Sequence, residues 1–258
     1  MKRMAWRKNL IGKCHLCGDT TLLTFEHVPP RAAFNDCGVL EADIRRLMGA
    51  NLRDELTNPR GREKQKGAGG HTLCARCNND TGAWYADSYV ELVKQAYPLA
   101  HSLNKDQRAI AIFTIQPLNV LKQILVMFCT ACPPDFAAKN PALVRFLLNR
   151  ECRAFPQDLG VYLGLFDIRR SAAARQSGIS ARLDAQSGTA HIYSEISFPP
   201  FNLVMTVKSG RPDERLRSIV GFRSFDFRQK SEVCVVLENL AVSTYFPADY
   251  RSRDELPV

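Results

Sequence analysis

Two pairs of cysteines with a two-residue spacer stand far apart in the first third of the chain, Cys14-His15-Leu16-Cys17 and Cys74-Ala75-Arg76-Cys77. A C-x-x-C turn presents two thiolates on one tight bend, and two such turns complete a tetrahedral all-thiolate shell for Zn²⁺. Four cysteines leave no open coordination position, so the expected zinc is structural and supplies folding energy to a segment with little apolar core of its own. His15, inside the first turn, reads as a bystander. Between the pairs lies Thr24-Phe25-Glu26-His27-Val28-Pro29-Pro30, and directly after Cys77 comes Asn78-Asn79-Asp80. Taken singly, Glu26 is a surface carboxylate, His27 a structural histidine, and Asn78 the N-cap of a following helix. Taken with both cysteine pairs, they form a constellation.

That order of parts, an acid–His pair between two C-x-x-C pairs and an Asn on the last cysteine, resembles the HNH-type ββα-metal endonucleases. The resembling subset is the zinc-bearing, four-cysteine one that includes recombination endonuclease VII, and the likeness covers roughly residues 12–95. The resemblance implies that zinc pins a β-hairpin carrying Glu26-His27 against the helix carrying Asn78. It implies that Glu26 and Asn78 hold one catalytic Mg²⁺ or Mn²⁺ and that His27 is the general base for water attack on a phosphodiester of DNA. Neighbouring residues on a strand point to opposite faces, so Glu26 and His27 can share a site only if the chain bends, and Pro29-Pro30 suggests where. The family's central Asn, which holds the backbone and orients the catalytic His, has no counterpart in Gly69-Gly70-His71-Thr72-Leu73. Either His71 fills that catalytic role, or Asn51 or Asn58 reaches over; otherwise His71 simply bonds a backbone carbonyl.

The elements that must position these residues are short at first. Residues 51–70 are polar, basic and Gly-bearing, which reads as a surface loop. Its Arg60, Arg62, Lys64 and Lys66, with Arg45, Arg46 and Arg53 upstream, are candidates for nucleic-acid phosphates or are a solvated surface. Helical spacing follows over Asp80–Ala96, ending before Pro98, then from Pro117 to Phe128 and over Asn140–Cys152. Beyond residue 158 the texture is β: Val161–Ile168, Ala190–Phe198, Asn202–Lys208, Ile219–Phe227 and Val233–Val242. The expected fold is α+β: a zinc-stapled ββα-metal module over residues 1–98, then an α+β domain with a mainly antiparallel sheet over residues 99–258.

Composition sets the outer limits. Net charge is +9, and residues 1–82 hold 14 of the 35 Lys/Arg against 9 of the 26 Asp/Glu, which suits a polyanionic partner. No apolar stretch follows the basic Met1-Lys2-Arg3-Met4, and no run is long enough to span a bilayer, so the expected place is the cytoplasm, with no membrane partner. Cys129-Thr130-Ala131-Cys132 ends an apolar helix with no partner pair and reads as core. Tyr85 and Tyr89 also read as core, with Trp84 beside them. The later domain shows no chemistry of its own and is left for substrate selection, a protein partner or regulation. A non-catalytic zinc module binding nucleic acid or protein is the rival to an endonuclease.

Overall fold

The computed structural model describes residues 10–42, 61–104, 107–171, 173–183, 190–244, 246–251 and 255. Its fold is mixed α+β with a mainly antiparallel sheet. The first third forms a three-stranded antiparallel sheet of β1 (Ile11–Lys13), β2 (Thr20–His27) and β5 (Gly69–Cys74), with β2 in the middle. A ribbon of β3 (Val39–Glu41) and β4 (Arg62–Lys64) lies in the excursion between β2 and β5.

Strand β5 runs straight into α1 (Ala75–Thr81), and Cys74 is its N-cap: the sulfur accepts a hydrogen bond from the Cys77 N–H. The second cysteine turn is thus the first turn of the helix, and Asn78 lies inside it rather than capping it. A π-helical turn, Gly82–Ala86, leads into α2 (Asp87–Ser102). The apolar spacing ends this helix before Pro98, but it continues to Ser102. Proline removes one backbone donor in the last turns, while Ala96 before it and Ala100 beyond it are both buried. That packing holds the helix on course.

The rest of the chain adds β6 (Arg108–Ile115), α3 (Pro117–Ala131), α4 (Asp135–Ala138) and α5 (Pro141–Leu148). The strands β7 (Leu159–Phe166), β8 (Arg175–Leu183), β9 (Ala190–Phe198), β10 (Phe201–Val207), β11 (Arg217–Ser218) and β12 (Ser231–Leu240) follow. The large sheet has the order β6-β12-β7-β10-β9-β8, with β11 beside β7; only the β12–β7 pairing is parallel among the described strands. Every residue of α3 from Pro117 to Thr130 is buried, as expected of a helix enclosed on all sides. It touches β5 of the small sheet and β8, β9 and β10 of the large one. One continuous cluster of buried side chains therefore runs from Cys14 to Leu237, and the expected boundary at residue 98 falls inside α2.

Four elements differ from the sequence expectation. Strand β8 alternates Arg, Gln, Ser and Gly at a sheet edge, so it carries no apolar run to read. Strand β6 was not anticipated either. Residues 219–227 form a 3₁₀ turn, Val220–Ser224, in place of a strand. The helix expected to reach Cys152 stops at Leu148, where the buried Lys122 ammonium takes the carbonyls of Asn149 and Arg150, both at 2.8 Å. Among the described residues no helix is long and apolar enough to cross a membrane.

Candidate functional site

The Sγ atoms of Cys14, Cys17, Cys74 and Cys77 all lie within 4.8 Å of one another, a cluster able to hold a metal ion. Sulfurs about 2.3 Å from a tetrahedral centre are about 3.8 Å apart, and Cys17 Sγ stands 3.9 Å from Cys74 Sγ. The backbone N–H of Cys74 donates to Cys14 Sγ at 3.3 Å and that of Cys77 to Cys74 Sγ at 3.4 Å, as suits thiolates. The hydrogen bond from Cys77 draws the Cys14 thiol down to about 4, while burial pushes Cys17 up to about 11 and the bond to Cys14 drives Cys77 far up. Four thiols in this space cannot all ionise without a cation among them.

The helix that begins in this cluster delivers Asn78 to β2. Its Nδ2 donates to Thr24 Oγ1 at 3.0 Å and to the Phe25 carbonyl at 3.2 Å, and its Oδ1 accepts no hydrogen bond among the described residues. The register with β5 slips there: consecutive Thr24 and Phe25 stand opposite Leu73 and His71, so the extra residue is Thr72 and the bulge lies in β5. Strand β2 itself keeps its alternation: Phe25 and His27 lie on the His71 side, and Glu26 on the other with Thr24, the partner of Asn78. The bend expected to bring Glu26 and His27 to one face is not made within β2.

Glu26 is mostly buried and has no hydrogen-bond or ion-pair partner among the described residues; burial raises its carboxyl from 4.5 to about 7. A carboxyl so raised is neutral without penalty at low pH. Its charging destabilises the fold as pH rises from about 4.5 to about 7, and fully above that. A divalent cation beside it reverses that penalty.

His27 is half-buried, and its Nε2 lies 2.9 Å from the Lys66 carbonyl. A carbonyl only accepts, so the neutral ring carries its proton on Nε2 and leaves Nδ1 as the basic nitrogen. The loop that supplies this carbonyl is held by a residue the sequence reading passed over. Asn35 is completely buried: its Nδ2 donates to Pro29 O at 2.7 Å and Ala68 O at 2.8 Å, and its Oδ1 accepts from Ala68 N at 2.7 Å. Gly67, at φ +90°, makes this approach feasible, since a Cβ there would stand 2.2 Å from the Asn35 carbonyl. The clustered glycines 67, 69 and 70 signalled a close backbone approach in the sequence, but not to what.

His71 does not do this work. It is exposed, makes no hydrogen bond among the described residues, and meets the Phe25 ring edge-on at 5.4 Å, as His27 does at 4.9 Å. Arg60, Asn51 and Asn58 lie outside the described residues. Arg62 is exposed on β4. The Lys64 ammonium is engaged by Glu41 Oε1 and Gly69 O, both at 2.7 Å, which ties β3 and β4 to the hairpin. Lys66 is exposed and supplies its carbonyl to His27. Cys129 and Cys132 are buried as core, as are Tyr85 and Tyr89. In comparisons with known proteins, no family model matches this chain, and no curated protein or solved structure matches it.

Proposed function

We propose that the chain is a metal-dependent endonuclease of the HNH type that hydrolyses phosphodiester bonds in DNA. The observation that supports this reading is the Asn78 carboxamide fastened to β2 one residue before Glu26, with its Oδ1 unbonded among the described residues. Glu26 and Asn78 fit a hard divalent cation: a desolvated, unpaired carboxylate and an amide oxygen. When bound, Mg²⁺ or Mn²⁺ would neutralise charge on the scissile phosphate and on the leaving 3′-oxygen. Strand β2 ends at His27. On this reading the phosphodiester lies across that end, with Glu26 and Asn78 on one face and His27 on the other. The His27 Nδ1 accepts the proton of the attacking water while its Nε2–H stays on the Lys66 carbonyl. Asn35 holds that carbonyl in place. Zinc in the four-cysteine cluster would join the β1–β2 turn to the junction of β5 and α1 and so fix where Asn78 meets β2.

A plasmid-nicking assay with and without Mg²⁺ or Mn²⁺ tests the reading. Wild-type protein is expected to nick only with divalent metal, and His27→Ala to lower kcat by about 10²–10⁴-fold with fold and DNA binding retained. Undiminished nicking by His27→Ala, or none by the wild type, leaves a zinc-stapled binding module instead.

A further inference from the structure

The large domain carries a basic, aromatic patch that nothing in the catalytic hairpin uses. The turn Asp226-Phe227-Arg228-Gln229 is closed by a bond from Gln229 N to Asp226 O at 3.1 Å. Arg228 takes φ +60° in its third position, where turns of this shape favour glycine or asparagine. A long side chain is strained in the left-handed region. The surroundings enforce that conformation: the Arg228 N–H donates to Oδ1 of the buried Asn119 at 3.2 Å. Lys208 also has positive φ, but Asp158 stands 3.8 Å from its ammonium. The Arg228 guanidinium has no carboxylate and no hydrogen-bond partner among the described residues. It lies 5.2 Å from the centre of the Phe227 ring, and Arg150 lies 5.3 Å from the same ring. Arg223, on the adjoining 3₁₀ turn, is a second exposed guanidinium, unpaired among the described residues.

This patch is tied to the helix of the candidate site. Asn119, whose Oδ1 holds Arg228, donates through Nδ2 to the Trp84 carbonyl at 3.0 Å. Trp84 is six residues beyond Asn78 on one helical run, about 9 Å along its axis, so the patch is linked to the candidate site through that run and Asn119. Arg150 also faces the exposed Glu151 carboxylate at 3.5 Å. Arg228, stacked on Phe227 and without a carboxylate among the described residues, is free to match phosphate oxygens, which accept two parallel N–H bonds.

We infer that Arg228 and Arg150, stacked on Phe227, together with Arg223, form a second contact for the phosphate backbone of the nucleic acid, outside the catalytic hairpin. This rests on the reading of the chain as a nucleic-acid enzyme. It gives the large domain the task of holding substrate outside the catalytic hairpin.

Arg228→Gly separates contact from fold, because glycine accepts the left-handed φ without strain. Its melting temperature is expected to equal or exceed that of the wild type. Binding of a labelled 30-base-pair duplex, measured without divalent metal so that no cleavage intervenes, should weaken. The slope of log K against log salt should fall by about one for each phosphate lost. Arg150→Gln combined with Arg228→Gly should lower it further. An unchanged slope in both variants overturns the inference, as does a wild type that binds no duplex. Retention of poly-glutamate with no difference in duplex binding also overturns it and makes the patch a contact for an acidic protein. If the slope falls but neither the wild type nor His27→Ala cleaves, the patch stands and the nuclease reading fails.

Discussion

Asn35 is the residue on which the candidate site turns, although it lies eight residues from His27 and touches neither it nor Glu26. Its carboxamide closes a two-way bridge to Ala68, and the carbonyl two residues earlier fixes the His27 ring. Asn35→Ala strands buried polar atoms of Pro29 and Ala68, at a cost of about 1–3 kcal/mol. Activity should fall on the order of 10²-fold in kcat with KM nearly unchanged, since a loosened imidazole is misplaced for proton transfer rather than for binding. Steady-state kinetics of Asn35→Ala beside His71→Ala checks this assignment. A deep loss in His71→Ala with Asn35→Ala near wild type would return the orienting role to His71.

At the scale of elements, the cysteine cluster is a joint between the β1–β2 turn and the junction where β5 runs into α1. Its two halves come from segments separated by 56 residues, and Cys74 serves as both cluster member and helix cap. Around it Cys14, Leu16, Leu23, Leu73 and Cys77 are a small local part of the core. One zinc per chain is expected by elemental analysis. Cys74→Ser, which alters ligand and cap together, should abolish stoichiometric zinc and leave the first third exposed to protease. Chelation of the wild type should do the same while the large sheet persists by far-ultraviolet circular dichroism. Full protease resistance in zinc-free protein would show that the packing alone suffices.

Across the whole molecule, α3 is the shared spine. The buried residues Tyr85, Tyr89, Leu92, Val93 and Ala96 belong to the same continuous cluster as α3, and the Tyr85 hydroxyl donates to Leu147 O at 2.8 Å. Ending the chain at residue 98 uncovers these side chains and cuts through α2. Each large apolar group so exposed forfeits about 1.5–3 kcal/mol, so a fragment of residues 1–98 should be insoluble or molten even with zinc. Dispersed amide resonances from that fragment would show that the module folds independently.

The sequence alone determined which residues could bind metal, because ligand chemistry is a property of side-chain type and C-x-x-C spacing is a local constraint. It also determined the α-then-β texture, since helical spacing and β-branched runs are local as well. Polar β8 escaped because an edge strand needs no apolar alternation, and the stretch around Phe222 misled because its apolar residues fit a strand as well as a 3₁₀ turn. Only the tertiary structure decided that Asn35, and not His71, buttresses the loop beside His27. It also decided that β5 bulges at Thr72, leaving Glu26 and His27 on opposite faces of β2, and that Lys64 is spent on Glu41 and Gly69. Each of these depends on a hydrogen bond or register between segments far apart in sequence, and no local pattern encodes the partner of a buried carboxamide.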